Sequence, residues 1–174
     1  RWTKSQPIET NIKIDIQNKN FSLGSDYLSR PELLSNNNLP ENFEAVSRVK
    51  TFLGAADLLS RDIATSSGKV SYLKSLGGEL TEAFSLSDAD FVQVDLDRAP
   101  ISGKYEMVSP DGKSGVVSAI ITGALNGNAS IVSLEYHHKD VDYSQVETYP
   151  LRSPASAWKI LQAGEGFVVD KGKN

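Results

Sequence analysis

The sequence predicts an α+β fold, with a mostly antiparallel sheet, a long helix over about 41–60 and a C-terminal helix over about 153–163. Three observations lead to this prediction. Ile12, Ile14 and Ile16 alternate with polar residues, which is the pattern of a half-buried strand. Apolar residues recur at helical spacing from Val46 to Leu59. Further β-branched segments alternate with turn residues, so we expect strands to outnumber helices.

The first half of the chain predicts a hairpin, a helix and a second hairpin. Turn chemistry at Asn18-Lys19-Asn20 divides residues 8–24 into two strands, and Pro31 lies near the start of a short helical turn. The long helix follows Pro40, with carboxylates in its first turn where the helix dipole favours them. Gly77-Gly78 then predicts a tight turn between a strand around residues 70–76 and a partner over 79–84.

The second half predicts a run of strands and a final helix. We expect strands over 91–96, 104–108, 114–124 and 130–138, with a further strand over 141–148. Asn126-Gly127 is a strong hairpin signal between the last two long strands. Ser153 as N-cap, Pro154 at the first helical position and Gly164 beyond the end define the C-terminal helix.

Length, charge and the absence of cysteine exclude several classes of protein. The 174 residues fit a single domain, or two small subdomains over 1–84 and 85–174. With 18 Lys+Arg against 22 Asp+Glu, the net charge is −4, which argues against a nucleic-acid partner. Without cysteine there is no disulfide, thiolate metal site or cysteine nucleophile. No apolar run is long enough to span a membrane, and no glycine motif for phosphate or dinucleotide binding occurs. We expect no cofactor.

Two polar groups are candidates for metal binding or acid/base chemistry. His137 or His138 could act with Asp140 and Asp142, because imidazole and carboxylates at a spacing of two share one face of a strand. The interpretation we favour is a solvated strand edge. Asp95 and Asp97 also share a face and could serve as a carboxylate pair for acid/base chemistry or calcium, but the interpretation we favour is the solvated face of a strand. We therefore expect neither catalytic nor metal-binding residues.

Aromatic and apolar residues near the C-terminus are candidates for binding a polypeptide. Tyr149 and Trp158 could form an aromatic patch, although we expect Trp158, on the apolar face of the last helix, to be mostly buried against the sheet. Phe167 and Val168 begin a strand-like segment. An unpaired strand edge offers backbone donors and acceptors to a partner strand.

One segment resembles a known group of bacterial domains. Tyr149-Pro150-Leu151-Arg152-Ser153 is followed by Ala157-Trp158, Leu161, Gly164 and Gly166-Phe167. This spacing resembles a stretch in PepSY-like domains and in YycH/YycI-type regulators of a sensor histidine kinase. A longer pattern resembles uncharacterised, membrane-anchored bacterial proteins. Its matching stretches are 20–23, 25–28, 31–34, 38–40 and 50–53.

The resemblance implies a non-catalytic, extracytoplasmic module of the bacterial envelope that binds a protein or peptide. In such proteins a transmembrane helix precedes the domain and more strands follow the last helix. We therefore expect the chain to be a fragment of a longer protein that is anchored outside this sequence. Two alternatives stay open: an envelope hydrolase or metal-dependent enzyme using the His137/His138–Asp140–Asp142 group, and a structural subunit of an envelope or surface assembly.

Overall fold

A computed structural model describes residues 2–4, 8–17, 20–34, 38–101, 103–105, 115–139, 142, 144, 147 and 149–165. The chain divides into two compact units, Arg1–Lys139 and Asp140–Asn174. The division does not fall at residue 84, because strands on either side of that residue pair in one sheet. The strands at 104–108 and 141–148 that the sequence predicts lie largely outside the described residues.

The first unit is an antiparallel sheet with helices, which confirms the α+β class. Its eight described strands lie in the order β1-β2-β3-β8-β7-β6-β4-β5, and every neighbouring pair is antiparallel. The strands are β1 (Trp2–Lys4), β2 (Thr10–Asp15), β3 (Asn20–Ser25), β4 (Lys69–Leu76), β5 (Glu79–Glu82), β6 (Phe91–Leu96), β7 (Val117–Thr122) and β8 (Ile131–Tyr136). The helices of this unit are α1 (Asn42–Ala55) and α2 (Arg61–Ala64), and the second unit contains α3 (Pro154–Gln162).

The central strands of the sheet are buried on both faces. On the face that α1 covers, here called the helix face, alternate residues of β6 and β7 pack against Ala45, Val49 and Leu53 of α1. On the opposite face, Phe91 and Val132 pack with Leu33 from the short helical turn at 31–33. Both predicted hairpins, β2–β3 and β4–β5, are present, and Gly77 and Gly78 take the positive φ of their turn.

Helix α1 is shorter than the sequence predicts, because the chain turns at Asp57 instead of continuing to residue 60. Asp57 has a φ of 56°, in the left-handed region that ends many helices. The amide of Asp57 donates to Gly54 O, and the amide of Leu58 donates to Leu53 O at 2.8 Å. These two bonds satisfy carbonyls that would otherwise lack partners at the helix end. Aspartate is one of the few residues that tolerate this conformation.

The C-terminal helix α3 begins and ends where its capping residues predict. The Ser153 hydroxyl accepts a hydrogen bond from the Ser156 amide at 3.2 Å, and Pro154 is the first helical residue. At the other end Gly164 has a φ of 75°, and the Glu165 amide donates to Ile160 O. The sequence locates this helix well because both of its ends carry the residues that local geometry requires.

The connection between β7 and β8 differs from the tight turn that Asn126-Gly127 suggests. The two strands pair as expected, but the loop covers residues 123–130 and includes a short 3₁₀ turn at Gly127–Ser130. A register shift between Ile120 and Ile121 accompanies it. The Ser130 hydroxyl, which is buried, donates to Gly127 O at 2.7 Å and closes this wider loop.

Two glycines provide a matched test of the packing. A Cβ on Gly115 would lie 2.7 Å from Leu96 O, whereas a Cβ on Gly54 in α1 would only touch a Leu59 methyl group at 3.9 Å. We expect Gly115→Ala to lower the free energy of unfolding by about 1–3 kcal/mol through overpacking. We expect Gly54→Ala to raise it by about 0.5–1 kcal/mol, because alanine favours helix. Urea denaturation of both variants measures the two effects, and equal changes would contradict the packing at Gly115.

Candidate functional site

The two adjacent histidines lie in different surroundings. His137 is exposed, and its Nε2 lies 3.4 Å from Glu135 Oε2. His138 is buried, with 7 % of its side chain exposed. Because they follow one another along an extended segment, only His138 reaches the interior of the unit.

His138 belongs to a partly buried polar group that the sequence does not predict. Its Nε2 lies 3.1 Å from both carboxylate oxygens of Asp62 and 3.1 Å from the hydroxyl of Ser60. Ser60 in turn donates to Asp62 Oδ1 at 2.5 Å. Arg98 completes the group, with its Nη1 at 3.2 Å from Asp62 Oδ2 and 7 % of its side chain exposed. Ser60, Asp62, Arg98 and His138 are called the Asp62 cluster below.

The Asp62 cluster fastens the segment between α1 and β4 to one end of the sheet. Asp62 lies in α2, His138 follows β8, and Arg98 follows β6. Backbone and side-chain bonds add to these contacts. The Ala99 amide donates to Asp62 O at 3.1 Å, and the Tyr136 hydroxyl donates to Leu58 O at 3.1 Å. The cluster therefore joins three parts of the chain that are distant in sequence.

Lys50 holds the far end of the same segment. Its ammonium group donates to Ala64 O at 2.8 Å and to Ser66 O at 2.6 Å. These carbonyls lie at and beyond the end of α2, where a short helix leaves acceptors without backbone partners and a cation is favourable. The Asp62 cluster therefore joins the segment to the sheet, and Lys50 joins its far end to α1.

The pKa of Asp62 is shifted below its ordinary value of 3.8. Burial acts in the opposite direction, because it penalises the charged carboxylate. The hydrogen bonds from Ser60 and His138, the charge of His138 and the bond from the Ile63 amide outweigh it. The ionised carboxylate is therefore the form that this environment favours.

The geometry of the cluster is that of a structural ion-pair network rather than a nucleophilic triad. In a serine triad one ring nitrogen of the histidine is hydrogen-bonded to the serine hydroxyl, and the other is hydrogen-bonded to the carboxylate. Here both Ser60 and Asp62 approach the same atom, Nε2. Ser60 also donates to the carboxylate, so its proton is engaged away from the ring. The arrangement favours a negative charge at Asp62.

The structure does not bring His137, His138, Asp140 and Asp142 together as one described site. Asp140 lies outside the described residues. Asp142 belongs to the second unit, where it accepts hydrogen bonds from the amide and hydroxyl of Ser144. Among the described residues, no group of three or more His, Cys, Asp or Glu side chains is arranged to hold a metal ion.

The strand pattern predicted that Asp95 lies on a solvated face, and for Asp95 this prediction is wrong. Asp95 is 5 % exposed, and its carboxylate oxygens Oδ1 and Oδ2 accept hydrogen bonds from the side-chain Nε2 of Gln93 at 3.2 and 2.9 Å. It lines a cavity of about 370 Å³ with Lys69, Asp97 and Arg98. Asp95 is buried because β6 is a central strand with neighbours on both sides, which a single-strand pattern cannot show.

The candidate partner-binding residues of the second unit are exposed where the structure describes them. Trp158 is 59 % exposed, so the prediction that it is buried is wrong, and no residue of α3 is buried. Tyr149 is 74 % exposed and donates to Glu147, which raises the pKa of the phenol. Phe167 and Val168 lie outside the described residues, so the strand edge that they suggest stays a prediction.

Comparisons with protein-family models, with curated proteins and with solved structures give no match. The resemblance to PepSY-like and YycH/YycI-type domains therefore stays a prediction based on the residues that carry it. In the part of the chain that the structure describes, no helix is long and apolar enough to cross a membrane.

The lowered pKa of Asp62 predicts a pH-dependent contribution to stability. Because the pKa is lower in the folded state, the contribution is fully present well above pH 3.8 and is lost as the pH falls through the folded value. We expect Asp62→Asn to lower the free energy of unfolding by about 2–4 kcal/mol near neutral pH, since it leaves Arg98 and His138 without the anion. The difference from the wild type should shrink as the pH falls below 3.8 and the carboxylate takes up a proton in the folded state.

Urea denaturation across this pH range measures the effect, with Asp57→Asn as the control. Asp57 is exposed, and asparagine tolerates its left-handed backbone equally well. A loss of stability for Asp62→Asn that does not change with pH would contradict an ionic role for Asp62.

Proposed function

We propose that the protein is a non-catalytic, polypeptide-binding module of the bacterial envelope. The observation that carries the proposal is the exposed apolar stripe of α3. Trp158 and Leu161 lie one turn apart on this helix and are 59 % and 44 % exposed. Exposed aromatic and aliphatic residues at this spacing are typical anchors for a protein partner.

The segment before the helix extends the same kind of surface. Leu151 is 94 % exposed and Tyr149 is 74 % exposed. Trp and Tyr combine a large apolar area with a polar atom, which suits them to an interface that is wet before binding and dry afterwards. The capped ends of α3 support the proposal further, because they preorganise the helix and lower the entropic cost of binding.

The envelope location and a regulatory role are proposed from the resemblance of residues 149–167 to extracytoplasmic regulatory domains. The residues that carry the resemblance include Tyr149, Trp158, Leu161 and Gly164. Trp158 and Leu161 are the two anchors of the exposed stripe, and Gly164 lies at the end of the helix. The resemblance and the exposure of α3 therefore point to the same residues. A partner that regulates signalling across the membrane would contact this helix in the full-length protein.

An enzymatic role has less support from the geometry. His138 is the histidine with a carboxylate and a hydroxyl in contact, and all three side chains are engaged with one another. A substrate would have to displace this network, which also holds Arg98. The proposal of a binding module needs no such rearrangement.

The binding surface can be tested by site-specific photocrosslinking in cells that produce the full-length protein. We expect benzoylphenylalanine at position 161 to give a discrete crosslinked species, and we expect Trp158→Ala to suppress it. The same crosslinker at position 16 is the control, because Ile16 is 87 % exposed in the turn after β2, far from α3 in sequence. Equal crosslinking from both positions, or none from 161, would count against the proposal.

The absence of catalysis can be tested separately with a fluorophosphonate probe and a chelator. Because the Ser60 hydroxyl donates to Asp62, we expect no covalent labelling of Ser60 by the probe. We also expect EDTA to leave the melting temperature unchanged. Labelling that disappears in Ser60→Ala, or a melting temperature that falls with EDTA and recovers with zinc or calcium, would favour the enzyme.

A further inference from the structure

We infer that the first unit carries a second recognition surface, which binds a basic polypeptide segment that also presents apolar side chains. The surface is a shallow groove of about 500 Å³ lined by Asn38, Leu39, Ser85, Leu86 and Ser87. It lies between the approach to α1 and the loop that follows β5. This inference does not depend on α3, so either surface can fail its test without the other.

An exposed aromatic residue adjoins the groove. Phe84, next to the lining residue Ser85, is fully exposed at 103 %. Phe43 at the start of α1 is 88 % exposed and lines a separate cavity with Val46 and Lys50. The two ends of this region are tied together, because the Tyr72 hydroxyl donates to Asn42 at 2.6 Å and Tyr72 O accepts from the Ala83 amide. A fully exposed phenylalanine contributes little to the stability of the fold, and an exposed aromatic residue beside a groove is typical of an interaction site.

The two chain segments that form this surface carry only negative charge. Residues 38–44 and 79–90 contain six carboxylates and no Lys, Arg or His. The carboxylates are those of Glu41, Glu44, Glu79, Glu82, Asp88 and Asp90. Two neighbouring cations approach them, since Lys74 pairs with Asp88 and Arg48 pairs with Glu44. The surplus of carboxylates makes a basic partner the complementary one.

The edge of the sheet supplies backbone groups beside the groove. Among the strands that the structure describes, β5 is the last one at its end of the sheet. The Ala83 amide donates to Tyr72 O in β4, and the register pairs Thr81 with Lys74. The peptide groups of Thr81 and Ala83 therefore point toward β4. Those of Leu80 and Glu82 therefore point away from the sheet. An extended segment could pair there and place its apolar side chains near Phe84.

The same charges argue against other occupants of the groove. A second copy would place the carboxylates of one β5 opposite those of the other, which is unfavourable. Nucleic acid and anionic lipid would be repelled in the same way. The exposed Phe84 and the peptide groups of β5 that point away from β4 together favour a polypeptide over a small cation.

Fluorescence anisotropy with the whole chain and labelled dodecapeptides tests the inference. The probes are an alternating Lys-Leu peptide, a Glu-Leu peptide and a Lys-Ser peptide. We expect the Lys-Leu peptide to bind best and to lose affinity as salt is raised. We expect Phe84→Ser, and separately the pair Glu79→Gln with Glu82→Gln, to weaken its binding about tenfold. Because Phe84 is fully exposed, its variant should keep the wild-type melting temperature.

Matched controls separate this surface from general attraction to an acidic protein. Ile16→Ser removes an equally exposed apolar residue, and Glu9→Gln with Glu165→Gln removes the same charge from exposed positions elsewhere. These variants should change the affinity less than about twofold. Equal weakening by both charge pairs, equal binding of the Glu-Leu peptide, or no binding of the Lys-Leu peptide would overturn the inference. Binding to phosphatidylglycerol vesicles would also overturn the inference if Phe84→Ser abolished it. Self-association that Phe84→Ser abolished would overturn it in the same way.

Discussion

The burial of the central strands on both faces is the constraint on which the first unit depends. β6 has five buried residues out of six, and the sixth, Gln93, holds the buried Asp95. Such a strand is stable only if something covers each face, since apolar burial is the main favourable term in folding. α1 covers one face, and the segment around Leu33 covers part of the other. The remaining elements are arranged around these two layers.

The Asp62 cluster holds the chain segment that leads from α1 back to the sheet. Once α1 lies across the sheet, the chain must return to the sheet to begin β4. The turn at Asp57 ends the helix, and the cluster then fixes the return segment to the ends of β6 and β8. A half-buried carboxylate that contacts a guanidinium, an imidazole and a hydroxyl is costly to disturb by removing one partner. The same interactions explain why His138 is buried although histidine is polar.

Local patterns predict the elements of this protein much better than its site. The hairpins and α3 were predictable because alternation, paired glycines and capping residues act over a few neighbouring positions. The end of α1 was missed because apolar spacing continues to Leu59, while one aspartate in the left-handed region stops the helix. The Asp62 cluster was not predictable, because His138 and Arg98 lie 76 and 36 positions away from Asp62. The apolar spacing within α3 places Trp158 on an apolar face of the helix. That spacing cannot show whether another part of the chain covers this face, so the exposure of Trp158 was not predictable from it.

The pairing of β3 with β8 has a consequence for how the protein is made. Phe21 lies opposite Tyr136, and the two rings stack with their centres 5.1 Å apart. The N-terminal hairpin therefore emerges from the ribosome more than a hundred residues before its partner strand. Contacts so distant in sequence slow folding, because a long loop must close before they form. Until β8 is synthesised, the edge of β3 that will pair with it lacks this partner, and an open strand edge of this kind invites pairing with other chains.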